Sequence, residues 1–161
     1  MRNIKSLGFK IIATAILGLI LSGCSMYTPV STVGSYEGIA NTDKDKGTVF
    51  IYRDSSFAGM ANQYDVMVDG VLKGSVPNGS FFSVNLTPGK HTIEPKTFTS
   101  FGLGKGIDIT VEQGQSYCLK LNLNFCVQCK SADLNIVDNK QCEKEMKSLD
   151  KVQLKETNKT E

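Results

Sequence analysis

Apolar and polar residues alternate along most of the chain from Thr48 onward, and a period of two is typical of β-strands with one buried face. The alternating runs recur about every ten residues and are separated by turn-forming pairs such as Asn78-Gly79 and Pro88-Gly89. Asp69-Gly70 suits the positive φ angles of a type I′ hairpin turn. The apolar faces comprise Val49 and Ile51; Tyr64, Val66 and Val68; Phe82, Val84 and Leu86; His91 and Ile93; Ile107, Ile109 and Val111; and Tyr117, Leu119, Leu121, Leu123 and Phe125. We therefore expect a mainly β fold, a single antiparallel β-sandwich of about seven or eight strands connected as a hairpin meander.

The pattern changes after the last predicted strand. Between residues 142 and 154, Met146 and Leu149 lie at helical spacing among charged residues. Just upstream, Asp138 followed three residues later by Gln141 resembles a capping box. The sequence therefore predicts one C-terminal α-helix over residues 142–154, which packs on the sandwich edge through Met146 and Leu149.

The N-terminal region has the order of segments that is typical of a signal peptide. Arg2, Lys5 and Lys10 precede an apolar run over residues 11–21, which is about half as long as a membrane span needs. The run ends at Leu21-Ser22-Gly23-Cys24, where a cysteine follows two small residues. This motif resembles the lipidated cysteine of bacterial lipoproteins, whose thiol takes a diacylglyceryl group before cleavage in front of it. The alternative is an ordinary secretory signal with a chance cysteine.

The lipoprotein resemblance implies a division of the chain and a location. The parts are residues 1–23, a signal peptide; 24–47, the N-terminus lipidated at Cys24 and a flexible tether; 48–155, the sandwich with its helix; and 156–161, a disordered tail. The lipid makes the membrane a partner through a covalent anchor. Since Ser25 rather than aspartate follows the cysteine, the resemblance implies the cell envelope, at the outer membrane facing the periplasm.

Charge and composition restrict the partners of the mature chain. Removing the signal peptide takes three of the eighteen basic residues and leaves fifteen against sixteen acidic ones, a charge of about minus one. We therefore expect no nucleic-acid partner. Asn41, Asp43 and Asp45 imitate the start of a calcium loop, but that loop needs glycine and a bidentate carboxylate where this chain has Lys46 and Tyr52. We expect neither a metal nor a cofactor.

Four spaced motifs carry a family resemblance. They are Phe50-Ile51-Tyr52-Arg53, Tyr64-Asp65-Val66 with Val68-Asp69-Gly70, Pro77-Asn78-Gly79-Ser80-Phe81-Phe82, and Pro88-Gly89-Lys90-His91-Thr92-Ile93. Together they resemble bacterial lipoproteins with a domain of unknown function, similar in style to PEGA-type β-sandwich repeats. The resemblance covers residues 48–149 and implies a fold but no activity, because the family has no established catalytic residues to transfer. Four domain cysteines are a departure from it.

These four cysteines predict disulfides, since an even set in a small domain of an oxidising compartment usually pairs. They are Cys118, Cys126, Cys129 and Cys142, which allow three connectivities. Cys118 and Cys126 would lie about 26 Å apart on one straight strand, too far for a bond.

The remaining choice follows from the predicted hairpin. If Phe125 pairs with Ala132, then Cys118 lies opposite Asn139 and near Cys142, while the other two cysteines share the hairpin tip. We therefore predict disulfides Cys118–Cys142 and Cys126–Cys129. The first closes a loop of about 25 residues and contributes about 3 kcal/mol in the chain-entropy model.

Two other roles for the cysteines remain open alternatives. Cys126 and Cys129 have the CxxC spacing of a redox pair, although such pairs normally sit at a helix N-terminus in a βαβ unit. Four cysteines also suit zinc, but the spacing lacks a second CxxC pair and the lone histidine lies in a strand.

The remaining polar candidates do not indicate catalysis. His91 is expected to be a half-buried, hydrogen-bonded histidine. Asp54, Asp65 and Asp69 are carboxylates that glycoside hydrolysis would require in pairs, but solvated charges beside turns are expected there. Residues 102–106 resemble a phosphate loop with the wrong glycine spacing, so a flexible hairpin loop is predicted. We expect no catalytic residue.

The sequence thus favours a lipid-anchored, non-enzymatic envelope lipoprotein that binds another envelope protein through a strand edge, or peptidoglycan through polar groups. The alternative is a thiol-disulfide redox protein that uses Cys126 and Cys129. Apolar loop residues are expected to cap the sandwich, or else to form a contact surface. They are Phe57, Met60, Phe98, Phe101 and Leu103.

Overall fold

The computed structural model describes residues 30–40, 43–97, 104–125 and 130–154. These ranges contain ten strands and one short helix. In chain order the elements are β1 Thr32–Gly34, β2 Gly47–Arg53, β3 Tyr64–Val68, β4 Val71–Val76, β5 Ser80–Leu86, β6 Gly89–Thr97, β7 Ile107–Val111, β8 Ser116–Phe125, β9 Lys130–Val137, α1 Asn139–Met146 and β10 Asp150–Val152. The predicted mainly β class with a C-terminal helix is confirmed.

The strands form two sheets that share one hydrophobic core. One sheet has the order β1-β10-β5-β2-β8-β9 and the other the order β4-β3-β6-β7. Their facing side chains, such as Ile51 and Leu119 from the first and Val66 and Ile93 from the second, are fully buried in one cluster. The alternation of the sequence therefore identifies the buried faces correctly, because a strand in either sheet turns every second side chain toward that cluster.

The predicted strand count is wrong, and the predicted antiparallel hairpin meander forms only in part, through the pairs β3–β4, β6–β7 and β8–β9. The count exceeds the predicted seven or eight because β1 and β10, three residues each, are too short to show a period. The larger sheet is also mixed, since β2 pairs antiparallel with β5 and parallel with β8, and β10 pairs parallel with β5. Turn-forming pairs specify only strands joined by short connections, whereas β2 takes its neighbours from distant parts of the chain.

Burial on both faces explains the central place of β2. All seven of its residues are buried. Val49 and Ile51 face the shared core, while Phe50 and Tyr52 face a second group of buried side chains on the outer side of the larger sheet. A strand with apolar residues on both faces gains most where both faces are covered, and the shared core and this second group cover the two faces of β2.

That second group, the outer cluster, lies beneath the C-terminal helix. It contains Phe50, Tyr52, Phe81, Cys118, Cys142, Met146 and Leu149. Met146 and Leu149 pack as predicted against the strands, but they cover the outer face of the larger sheet rather than the predicted sandwich edge. The cluster closes the face of the larger sheet that points away from the smaller one.

The helix is shorter than predicted and begins earlier. It spans Asn139–Met146 rather than residues 142–154, and the chain then returns to the sheet as β10. The Asp138 side chain accepts a hydrogen bond from the Gln141 backbone N–H (2.9 Å), as an N-cap does. The Gln141 side chain donates instead to Glu145 (3.0 Å), so only half of the predicted capping box forms. The last turns of the predicted helix are replaced by β10, because the backbone N–H and C=O groups on the free side of β5 can pair with a further strand. In this pairing Asp150 lies opposite Ser80.

Part of the predicted tether is also structured. Within residues 24–47, β1 pairs with β10, and Val30 packs against the shared core. The rings of Tyr36 and Phe81 meet edge to face with centroids 6.0 Å apart. Residues 1–23 of the predicted signal peptide and 156–161 of the predicted tail lie outside the described residues. Within the described ranges, no helix has the length and apolar character needed to cross a membrane.

The two ends of the sheets differ in their connections. At one end, termed the turn end, lie the turns at residues 69–70, 87–88 and 112–115. The predicted type I′ turn is confirmed there, with φ of 51° at Asp69 and 78° at Gly70. At the opposite end, termed the loop end, lie segment 54–63 and turn 77–79.

Candidate functional site

A disulfide joins the sheet to the helix inside the outer cluster. Cys118 of β8 and Cys142 of α1 are bonded, with Cα atoms 6.1 Å apart, and both are buried. This is the pair predicted from the sequence, although the predicted register is wrong by two residues. Cys118 lies opposite Val137 rather than Asn139, and Phe125 lies opposite Lys130. A shift of two keeps every side chain on its face, which is why the prediction of the pair survives it.

A charged cluster borders the disulfide on the same face of β8. Lys120 Nζ lies 2.6 Å from an oxygen of Asp54 and 2.8 Å from Glu145 Oε2. The Tyr52 hydroxyl also donates to Glu145 Oε2, at 2.6 Å. Strand β8 places Cys118 and Lys120 two residues apart on this face, and α1 brings Glu145 over them. The cluster thus binds the helix to the sheet beside the disulfide.

The shifted pKa values of Glu145, Lys120 and Tyr52 indicate that each group is held in one protonation state by its hydrogen bonds. Burial would raise the pKa of Glu145, but hydrogen bonds from Lys120, Tyr52 and Gln141 outweigh it and lower that pKa to about 2. Burial would lower the pKa of Lys120, but its bonds to Asp54 and Glu145 raise it. Burial and the bond to Glu145 raise the pKa of Tyr52. Such a carboxylate is a poor base and such a lysine a poor nucleophile at neutral pH, which favours a structural role.

A second polar cluster lies at the turn end around His91. Its Nδ1 lies 2.6 Å from Asp69 Oδ2 and its Nε2 lies 2.8 Å from the Thr87 carbonyl oxygen. Both neighbours only accept hydrogen bonds, so both ring nitrogens must carry hydrogen, which defines the imidazolium form. Burial would lower the pKa of His91, but these two bonds outweigh it and raise the pKa. The predicted half-buried, hydrogen-bonded histidine is confirmed.

The three aspartates considered for catalysis bind different partners. Asp54 pairs with Lys120, Asp65 accepts a hydrogen bond from Ser75, and Asp69 binds His91 together with the Thr92 backbone N–H. The structure does not bring them together as a pair around one substrate position. Among the described residues, no group of three or more metal-ligating side chains is found.

Sequence reasoning missed Arg53, which organises segment 54–63 at the loop end. Its side chain is only 2% exposed and lies over the Tyr64 ring, 5.4 Å from the centroid. Nη1 donates to the Asn62 carbonyl (2.6 Å) and Nη2 to the Gly59 carbonyl (2.7 Å). Burial lowers the pKa of Arg53. The sequence does contain a signal for this role. Arg53 directly follows an apolar run, and in the segment after it only Asp54 carries a charge.

Segment 54–63 presents two apolar side chains to solvent. Phe57 is 91% exposed and Met60 58%. The prediction that these residues cap the sandwich is therefore wrong for both, since a cap would be covered. Phe98, Phe101 and Leu103, for which the same prediction was made, lie outside the described residues, as do Cys24, Cys126 and Cys129.

Two concave regions border these features. A pocket of about 160 Å³ between segment 54–63 and β8 is lined by Arg53, Asp54, Ser56, Lys120 and residues 121–123. This volume is below the roughly 300 Å³ at which pockets for small organic ligands begin. A groove of about 520 Å³ lies along β1 and β10, between Val33 and Leu154.

Taken together, the features define a small mainly β domain in which a disulfide and an ion-pair cluster fasten a helix to a mixed sheet. Residues 43–132, more than half of the 161-residue chain, match the family model described as a protein of unknown function (DUF2846). The chain belongs to this family, which confirms the resemblance to a domain of unknown function. Searches of curated proteins and of solved structures returned no match.

Proposed function

We propose that the protein is a lipid-anchored, non-enzymatic component of the bacterial cell envelope that binds another envelope protein or peptidoglycan. The observation that carries the location is the buried Cys118–Cys142 disulfide, because such bonds persist in oxidising compartments outside the cytosol. It supports the signal peptide and the lipidation of Cys24 that the sequence predicts, and Ser25 favours the outer membrane.

The binding role rests on exposed apolar side chains together with closed charged clusters. Lys120 and Glu145 form an ion pair with each other, and Glu145 also accepts hydrogen bonds from neighbours on α1 and β2. Phe57, by contrast, stands in solvent. A domain with this distribution is suited to contact rather than to proton transfer. For the fold we propose a β-sandwich of PEGA-like style, which the single core shared by the two sheets supports.

The anchor would hold the domain close to the bilayer. Val30 is already packed against the core, and the six peptide units from Cys24 to Val30 span at most about 22 Å. The chain then runs through β1 toward the loop end, since β1 is antiparallel to β10 and β10 is parallel to β5. Residues 30 and 31, which precede β1, therefore lie on the turn-end side of that strand.

Membrane fractionation and mass spectrometry test the anchor. The mature N-terminal peptide is expected to begin at a lipid-modified Cys24, and Cys24→Ser is expected to move the protein out of the membrane fraction. Ser25→Asp is the matched control, because it should leave the lipid in place and shift the protein to the inner membrane. An unmodified cysteine in a membrane-bound protein would refute the anchor.

Crosslinking in intact cells and retention on purified peptidoglycan test the binding role. We expect one of the two to recover the mature domain with a defined envelope component. If both give nothing, the binding role fails. Reduction of insulin by the purified protein, abolished in Cys129→Ser, would instead support the redox alternative.

A further inference from the structure

We propose that segment 54–63 is a preformed docking loop that inserts Phe57 and Met60 into an apolar, uncharged pocket of a second envelope protein. This deepens the proposed function and rests on it, since it names the surface and the chemistry of the partner.

The first step of the argument is that Phe57 is exposed while its backbone is held. Arg53 binds the carbonyls of Asn62 and Gly59 from beneath the loop, and the Ser56 N–H donates to the Asn78 side chain (3.0 Å). Within the loop, the Asn62 N–H also donates to the Gly59 carbonyl (2.9 Å). A loop fixed from below cannot readily fold its tip back onto the core, so the exposure of Phe57 is built into the conformation.

The second step is that a buried guanidinium is a costly way to hold a loop. Arg53 is 2% exposed and has no carboxylate partner among the hydrogen bonds and ion pairs of the described residues, where its Nε also lacks a partner. Burying a charge without an opposite charge is unfavourable, and hydrogen bonds to carbonyl groups offset only part of that cost. What this geometry maintains is the outward position of two apolar side chains, which the fold itself does not use.

The third step selects a protein as the occupant rather than a bilayer. Residues 55–63 carry no charged side chain, and Asp54 pairs with Lys120. Loops and helices that bind anionic lipid surfaces normally flank their apolar residues with lysine or arginine. An uncharged protein pocket fits these features, since a buried aromatic is a common anchor of protein interfaces.

The test uses the full-length anchored protein in cells with a photoreactive phenylalanine analogue at Phe57 or Met60. Matched probes replace Ile136, which is 58% exposed like Met60 but lies on β9, and Lys90, which is exposed at the turn end. We expect both loop positions to label the same protein and the control positions to leave it unlabelled. Adducts to lipid, adducts to a second copy of this chain, no adduct, or equal labelling from Ile136 would each overturn the proposal.

Reconstitution then measures the contact. The purified mature domain is titrated with the protein labelled from both positions. Phe57→Ser is expected to weaken binding roughly tenfold to a hundredfold and Phe57→Leu by less, as loss of one buried aromatic predicts. Both variants should keep the melting temperature, because Phe57 is exposed. Unchanged affinity in Phe57→Ser overturns the docking loop.

The outcomes separate this inference from the proposed function. A partner labelled only from Ile136 or Lys90 would leave the envelope-binding function standing and refute the loop. An unlipidated Cys24 in the same sample would refute the anchor, whatever the loop positions label.

Discussion

The two ends of the sheets use polar groups in opposite ways. At the turn end, His91 and Asp69 bind each other and the surrounding backbone, and the connections are tight turns. At the loop end, the buried Arg53 holds the backbone of a longer segment whose apolar tip is exposed. The hydrogen bonds of the turn end stabilise the fold itself. Those of the loop end stabilise a conformation whose most exposed side chain contributes little to the fold, which is why our proposed docking loop lies at that end.

Removing the guanidinium should disturb the loop end most. Arg53→Ala leaves the Asn62 and Gly59 carbonyls without their donor and opens a cavity beside Tyr64. We expect the free energy of unfolding to fall by about 3 to 5 kcal/mol, measured by urea denaturation. Lys90→Ala at the turn end is the control and should stay within about 0.5 kcal/mol of the parent. A loss below about 1 kcal/mol in Arg53→Ala would show that the loop does not depend on the guanidinium.

The Cys118–Cys142 disulfide belongs to neither end, so its contribution to the free energy of unfolding is a reference for the effects at both. The double variant Cys118→Ala with Cys142→Ala should lose about 3 kcal/mol of unfolding free energy, because the loop closed by the bond spans a sequence separation of 24. Urea denaturation measures the loss, and reduction of the parent protein should reproduce most of it. If the double variant were as stable as the parent, the bond would not restrain the unfolded chain, and the cluster around Lys120 would suffice to hold α1.

The turn end should show a pH dependence in the range where histidine titrates. The raised pKa of His91 means that its contribution is fully present below the ordinary value of 6.5 and is lost as pH rises through the folded-state pKa. The lowered pKa of Asp69, caused first by its bond to His91, means that its contribution is present above 3.8 and is lost as pH falls through its folded-state pKa.

The stability difference between the parent and His91→Gln should therefore be largest between about pH 4 and 6.5 and decline above that range. We expect about 1 kcal/mol at most, because Asp69 is half exposed and solvent screens the pair. Denaturant titrations at several pH values measure it. Asp69→Asn is the control, since asparagine tolerates the positive φ and still accepts from Thr92 but carries no charge. A difference that stays constant with pH would contradict the charged form of His91.

The smallest expected effect on stability is at the tip of the loop end. Phe57→Ser should change the free energy of unfolding by no more than about 0.5 kcal/mol, because the side chain is exposed. Thermal denaturation checks this. A loss above about 1 kcal/mol would mean that Phe57 packs against the domain in solution, and the contrast between the two ends would then disappear.

Several features were predictable because they depend on short stretches of chain. The Asp69-Gly70 turn follows from φ preferences, and the N-cap at Asp138 follows from side-chain chemistry. The Cys118–Cys142 pair was predicted despite a wrong register, because the period of two constrains the face more strongly than the exact partner. By contrast, β10 was predicted as helix, since a three-residue strand is stabilised by neighbours that no local pattern reveals.

By itself, the amino-acid sequence determined the mainly β class, the buried faces, the tight turns and the N-cap of the helix at Asp138, because period and local backbone preference act within a few residues. Only the tertiary structure decided that β2 lies between β5 and β8, that β1 and β10 complete the larger sheet, and that Arg53 supports an exposed Phe57. Those outcomes depend on which distant strands cover both faces of β2 and which carbonyls meet one guanidinium. Such contacts arise only once the sheets have packed.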